Sequence, residues 1–180
     1  TNDIRAENIK CSTRSITFDL IVYRDRFNSI TINLLGRFQL LNVLCAVTLA
    51  HTSGLPIDSI THVINKLQPL DGRMYHVTEY QGGNIFIDYA HTTEGFRNAV
   101  SVFKDNCRNK LICVFGCGGN RDSSKRAEIG KIAHELIDIP IVTDDNPRRE
   151  DPAIIRSEII NTCPNAIEIG NRQEAIEKAI

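Results

Sequence analysis

No run in the sequence approaches the roughly 20 consecutive apolar residues that a membrane span needs, so no membrane-spanning helix is expected in it. Net charge is scarce too: 21 Lys and Arg stand against 22 Asp and Glu, a formal balance of -1. That removes the electrostatic reason for bulk binding to nucleic acid or to an anionic membrane, although a local basic site remains open. The six cysteines, Cys11, Cys45, Cys107, Cys113, Cys117 and Cys163, form no Cys-x-x-Cys. Cys113 and Cys117 have no second pair to complete a zinc site, so no metal site is expected, and the scatter reads as a reduced, cytoplasmic chain. Thr1-Asn2-Asp3-Ile4-Arg5 carries neither an initiator Met nor a signal-peptide pattern. No internal repeat or low-complexity tract occurs. A Gly-x-x-x-x-Gly-Lys-[Ser/Thr] phosphate loop is also missing: the only Gly-Lys, Gly130-Lys131, has Lys125 where the first glycine belongs. These residues by themselves are not expected to form a competent nucleoside triphosphatase.

What is present falls into two parts. Ile16, Phe18, Leu20 and Val22 alternate with polar residues, and Ile30, Ile32 and Leu34 repeat the pattern, which predicts a hairpin turning through Arg24 to Asn28. Helical spacing follows from Leu40 to Thr52, stopped by Gly54, and again from Pro56 to about Leu67. Pro69-Leu70-Asp71-Gly72 breaks the pattern, and a domain boundary is placed there, giving domains 1–71 and 72–180. Beyond it, apolar runs at 85–88, 111–115, 139–143 and 166–169 alternate with amphipathic stretches at 93–108, 123–137, 152–162 and from 172 onward. This alternation predicts an α/β fold, a mostly parallel, Rossmann-like sheet with flanking helices. The last helix is still in progress at Ile180, so the expectation is a piece of a longer protein.

In an open α/β sheet, ligands bind outside the carboxyl ends of the strands. Three polar loops are expected at that edge: Asp88-Tyr89-Ala90-His91-Thr92, Gly116-Cys117-Gly118-Gly119-Asn120-Arg121-Asp122, and Asp144-Asp145-Asn146-Pro147-Arg148-Arg149-Glu150-Asp151. The glycines either make a tight turn or let the backbone approach a ligand. A dinucleotide fingerprint would need a glycine where Arg121 stands. Lys125 and Arg126 add positive charge at the loop or simply start a solvated helix. Pro147 fixes its own φ and restricts Asn146, holding Asn146 and Arg148 at a set separation. An arginine there suits a carboxylate, because its planar fork donates two parallel hydrogen bonds. A proline turn capping the helix near Pro152 accounts for Pro147 and Asp151 but not for Arg148. His91, three residues after Asp88 at a strand end, is either a ligand contact or structural. His51, His62, His76 and His134 are assigned nothing.

Taken in order, Gly36-Arg37-Phe38-Gln39-Leu40-Leu41-Asn42, Gly72-Arg73-Met74, Asp88-Tyr89-Ala90-His91-Thr92, Val114 to Asp122, Lys125-Arg126 and Thr143 to Arg148 resemble the Mur ligases of peptidoglycan synthesis, in particular their meso-diaminopimelate-adding branch. The resemblance implies the last part of a central ATPase domain, over 1–71, followed by most of a C-terminal Rossmann-like amino-acid-binding domain, over 72–180. It implies a cytoplasmic, monomeric enzyme whose partners are ATP with Mg2+, a UDP-N-acetylmuramoyl dipeptide and meso-diaminopimelate, joined through an acyl phosphate; the piece alone is expected to be inactive. Carried over, it puts Asn42 near the adenine and Arg73, Asp88 and His91 on the nucleotide side. Arg121, Asp145, Asn146 and Arg148 match the family's diaminopimelate contacts, with Pro147 shaping the loop; no residue is assigned as catalytic. Lysine-adding relatives lack the arginine of Asp-Asn-Pro-Arg. Departures from the family pattern are Gln39 for Asn, Thr93 for Pro, Asn120 for Asp and Ala127 for Pro. A ligase for lysine or another amino acid, a folylpolyglutamate synthetase-like enzyme and a binding-only Rossmann-like module are the alternatives.

Overall fold

The computed structural model describes residues 4–12 and 14–180; Thr1, Asn2 and Asp3 of the N-terminal segment read above lie outside them. The chain divides into two compact units, one running to Tyr89 and the other spanning Ala90–Ile180.

In the first unit, strands β1 (Ile4–Cys11), β2 (Ile16–Val22) and β3 (Asp25–Ile32) form an antiparallel sheet in that order. Helices α1 (Arg37–Thr52) and α2 (Ile57–Ile64) follow. Alternation along β2 puts Ile16, Phe18, Leu20 and Val22 on one face. They share a buried cluster with Leu40, Val43 and Val47 of α1 and Ile60 and Ile64 of α2. The hairpin is tighter than its polar residues suggested. Val22 pairs with Asp25, so Tyr23 and Arg24 alone make the turn, with Tyr23 at φ 55°, and Asp25 to Asn28 belong to β3. The irregularity lies further along, where the register shifts between Phe18 and Leu20 and Ser29 adopts φ 56°.

Asp19 sits at that shift and holds it together. Its carboxylate accepts from the Ser29 backbone N–H at 2.8 Å, from Asn8 Nδ2 at 2.7 Å and from Arg26 Nη2 at 2.7 Å. Asn8, at φ 51°, lies in the second irregularity, between Glu7 and Lys10 where β1 meets β2. One buried carboxylate thus satisfies donors at bulges on both neighbouring strands. The Ser29 backbone bond, with the Asn8 and Arg26 side chains, lowers its pKa to about 2.

After α2, strands β4 (Tyr75–Tyr80) and β5 (Gly83–Ile87) pair antiparallel through Gln81 at φ 48° and Gly82 at φ 80°. This corrects the expectation that the 85–88 run joins the parallel sheet. Two consecutive left-handed residues match the twist of a hairpin and fold the run back on its predecessor. β4 has only Val77 and its two tyrosines as apolar residues and is mostly exposed, so its period carries little signal.

The second unit opens with α3 (Thr93–Asn106), whose N-cap Thr92 accepts from the Gly95 N–H at 3.1 Å. It continues as β6 (Ile112–Phe115), α4 (Ser124–Leu136), β7 (Ile139–Val142), α5 (Pro152–Ile160), β8 (Ile167–Glu168) and α6 (Arg172–Ala179). The three strands form a parallel sheet in the order β6-β7-β8, with Phe115 opposite Val142 and Val142 opposite Glu168. Phe96 and Val100 of α3, Phe115 and Val142 of the sheet, Ile129, Ile132 and Ala133 of α4, and Ile155 and Ile159 of α5 form one core. Phe96 and Phe115 meet at 5.1 Å between ring centroids. The unit is therefore the strand–helix alternation expected, with a shorter sheet. Among the described residues, no helix is long and apolar enough to cross a membrane.

Candidate functional site

Parallel strands place all their outgoing loops at one edge, and here the loops after β6 and β7 meet backbone to backbone. The Gly119 N–H donates to the Asn146 carbonyl at 3.0 Å, and the Thr143 N–H to the Phe115 carbonyl at 2.9 Å. A Cβ at Gly119 would run into the Pro147 carbonyl, and one at Gly116 into the Thr143 carbonyl. The glycines of this cluster serve a purpose outside both readings, the close approach of the neighbouring loop.

The second loop is fixed by its own residues. Arg148 has φ 54° and Asn120, facing it, φ 50°. Arg148 Nη1 donates to the Gly119 carbonyl at 2.5 Å, and Asn120 Oδ1 accepts from the Arg149 N–H at 3.0 Å. The Asn120 N–H donates to the Glu150 carboxylate. At the end of the loop Asp151 caps α5 by accepting from the Ala153 N–H at 2.9 Å, with Pro152 in the first turn. The proline-turn reading thus holds for both of its residues, since the Glu150 N–H donates to the Pro147 carbonyl at 3.0 Å and Asp151 caps α5, while Arg148 belongs to the junction with Gly119.

One expectation about charge is corrected. Arg126 is neither a solvated helix start nor a cation at the loop surface: it is 1% exposed, the largest fully buried side chain among the described residues. Its two terminal nitrogens meet Glu150 at 2.9 Å and Glu158 at 2.8 Å, while its Nε has no partner. Burial works against its charge, but the bonds and charges of Glu158 and Glu150 outweigh it and raise its pKa. Glu150 is held below the usual carboxylate range by the Asn120 N–H first and by Arg126 second. The adjacent acids also divide. Asp144 is tied to Arg156, which pairs with Glu168 at 2.8 Å, whereas Asp145 is exposed. A third loop, unremarked in the sequence, completes this edge: the Gly170 carbonyl after β8 accepts from the Asp144 N–H at 3.1 Å and from Thr143 Oγ1 at 3.0 Å.

Of the expected amino-acid contacts, Asp145, Asn146, Pro147 and Arg148 lie on the second loop and Arg121 lies two residues past Gly119 on the first. Arg121, Asp145, Asn146 and Arg148 are exposed. Cys117, on the first loop, is buried, which raises its thiol pKa, and burial pushes Cys113 of β6 up to about 12.

The residues expected on the nucleotide side are distributed differently. In the first unit Asp88 Oδ2 accepts from the Met74 N–H at 2.8 Å, and the Arg73 guanidinium lies 4.7 Å over the Tyr89 ring, so the Gly72-Arg73-Met74 and Asp88-Tyr89 motifs meet. This contact accounts for Met74 holding φ 50°. Asn42 is exposed on α1 and donates to Gln39 Oε1 at 3.2 Å, apart from that junction. The Asp88–Thr92 loop follows the β4–β5 hairpin rather than a parallel strand. His91 belongs to the second unit, where its carbonyl accepts from Lys125 Nζ at 3.2 Å. Among the described residues, no group of three or more His, Cys, Asp or Glu side chains is arranged to hold a metal ion.

Residues 72–180 match the protein family described as Mur ligase, glutamate ligase domain. Over 152 residues, 84% of this chain, the sequence is 45% identical to UDP-N-acetylmuramoyl-L-alanyl-D-glutamate--2,6-diaminopimelate ligase of Zymomonas mobilis, covering 31% of that protein. Over 98% of the chain it is 37% identical to the ligase of the same name from Lactiplantibacillus plantarum, covering 36% of it. A solved structure of a ligase of that name overlaps 98% of this chain and 37% of its own length at 30% identity, with a TM-score of 0.62. Mycobacterium tuberculosis folylpolyglutamate synthase complexed with ADP and AMPPCP gives a TM-score of 0.80 at 18% identity over 98% of this chain and 40% of its own, a likeness of fold. The chain spans about a third of the length of the curated relatives it matches.

Proposed function

The chain belongs to the Mur ligase family, and from that premise we propose that it is the amino-acid-receiving part of an ATP-dependent ligase that joins meso-diaminopimelate to UDP-N-acetylmuramoyl-L-alanyl-D-glutamate in the cytoplasm. The observation that carries the reading is the locked pair of loops after β6 and β7, which presents the exposed side chains of Arg121, Asp145, Asn146 and Arg148 at the carboxyl edge of a parallel sheet. The identities to diaminopimelate ligases support it.

In this reading the glutamate carboxylate of the dipeptide is activated as an acyl phosphate, and the amine of the incoming amino acid attacks it. Little covalent chemistry falls to these residues. Their work is to hold a dication–dianion amino acid so that its amine is aligned, the contribution of proximity and preorganised charge. Arg148 has Nη1 on Gly119; the rest of its fork is assigned to the distal carboxylate of diaminopimelate, the group that lysine lacks, and Arg121 supplies a second cation. Asp145 is the exposed carboxylate of the loop and suits an ammonium group.

Asn42 is assigned to the adenine of ATP, and Arg73, Asp88 and His91 to the nucleotide side. ATP with Mg2+ supplies the phosphoryl group. No phosphate-loop sequence and no metal-holding cluster among the described residues fits the triphosphate and its cation, so their binding groups are assigned elsewhere in a monomeric ligase and the isolated piece is inactive. The division at Gly72, where the family match starts, is part of the proposal.

The test is an amino-acid screen on the intact ligase, following phosphate release with the UDP-linked dipeptide present. Meso-diaminopimelate is expected to be consumed in strong preference to L-lysine. Equal use of the two, or a preference for lysine, overturns the assignment.

A further inference from the structure

We infer that Arg126, Glu150 and Asn120 form a positioning relay that aims Arg148, and so set the ligase's discrimination for an amino acid bearing a second carboxylate. The inference rests on the diaminopimelate reading above and adds residues that touch no substrate.

Arg126 projects from the first turn of α4, and its burial fixes it in place. An arginine at 1% exposure with an unpartnered Nε is an expensive way to fill a core. Its two ion pairs reach different elements: Glu158 lies on α5, and Glu150 lies at the end of the loop that carries Arg148. One oxygen of Glu150 then accepts from both Arg126 Nη2 at 3.0 Å and the Asn120 backbone N–H. The Asn120 side chain returns across the gap to accept from the Arg149 N–H at 3.0 Å, one residue from Arg148. Arg148 in turn donates to the carbonyl of Gly119, the residue before Asn120.

The chain of contacts therefore closes on itself: Arg126, Glu150, Asn120, Arg149, Arg148, Gly119. Two residues in it, Asn120 and Arg148, hold left-handed backbone conformations; asparagine adopts one readily, whereas an arginine keeps it only when its surroundings enforce it. Releasing either link lets the two loops relax and moves the Arg148 fork relative to Arg121. A displacement of about 1 Å at a positioning group is enough to change a rate up to roughly a hundredfold.

The relay acts only through a carboxylate that Arg148 meets, which separates it from a purely structural role. The experiment measures kcat/KM for meso-diaminopimelate and for L-lysine, with KM for ATP, in the intact ligase. Asn120→Gly removes the side-chain acceptor, suits φ 50°, and leaves the buried pair untouched; Asn120→Asp retains the acceptor; Glu150→Gln weakens the grip of Arg126.

Asn120→Gly and Glu150→Gln are expected to lower the diaminopimelate-to-lysine preference roughly tenfold with KM for ATP unchanged, and Asn120→Asp to retain it. A loss of folded enzyme would lower both substrates equally and leave the ratio alone. An unchanged ratio in both variants overturns the relay while leaving the diaminopimelate assignment standing. A wild-type ligase with no preference overturns the assignment itself.

Discussion

Arg148 donates Nη1 to the carbonyl of Gly119 at 2.5 Å, across 29 residues of sequence, so the cation assigned to the substrate is also part of the frame that presents it. Its left-handed backbone, φ 54°, is held in the same contact. An arginine anchored at one nitrogen loses less freedom when a carboxylate binds than one swinging in solvent.

Replacing Arg148 by alanine is therefore expected to weaken meso-diaminopimelate by about 2–3 kcal/mol, the scale of a charge-assisted hydrogen-bonded contact, well above the ~0.2–1 kcal/mol of an exposed pair. In steady-state kinetics of the intact ligase this appears as a KM for diaminopimelate higher by roughly 30- to 150-fold, with KM for ATP unchanged. An unaltered KM for diaminopimelate would remove Arg148 from the site.

Gly119→Ala tests the packing of the two loops. Its Cβ meets the Pro147 carbonyl, a backbone group that cannot rotate aside. Overpacking of this kind costs about 1–3 kcal/mol, to be read from the urea midpoint of the intact ligase. A midpoint equal to wild type would show that the loops separate freely.

Acid sensitivity is expected to concentrate at Asp19. Its folded pKa, about 2, lies below its ordinary 3.8. A depressed carboxylate stabilises the fold fully above the unfolded value, and the contribution disappears as pH falls from about 4 toward 2. Asp19→Asn is expected to be less stable than wild type at neutral pH, with the gap closing over that acid range. Melting curves run from pH 7 to pH 2 decide it, and parallel curves throughout would contradict the assignment.

The cap of α5 gives a smaller, separable effect. Asp151 accepts from the Ala153 N–H at 2.9 Å, and Asp151→Ala is expected to cost about 1 kcal/mol in denaturant unfolding. Asp151→Asn, which keeps an acceptor, is expected to recover most of it.

The helices were legible in advance because each combines an apolar stripe with a stop or start signal, as with Gly54 after α1 and Asp151-Pro152 before α5. Strands were legible where alternation is unbroken, as along β2. In β1 the bulge at Asn8 puts Ile4 and Ala6 out of phase with Ile9, and β4 is too polar and exposed to show a period. The loops of the site could be located by counting strand ends, but their pairing could not. It depends on contacts such as Gly119 with Asn146, and on a buried Arg126 whose partners lie 24 and 32 residues away. A charged residue at the start of a helix looks the same in sequence whether it faces water or a core.

The two neighbouring aspartates differ in a way that matters to anyone redesigning substrate choice. Asp144 is bound to Arg156, and its carbonyl accepts from Arg172 at 3.2 Å, so it belongs to the scaffold. Asp145 faces outward beside Asn146. A randomised library that varies 145 and 146 while conserving 144 samples new ligand chemistry on an intact frame; one that varies all three also breaks the pair with Arg156 in most of its members.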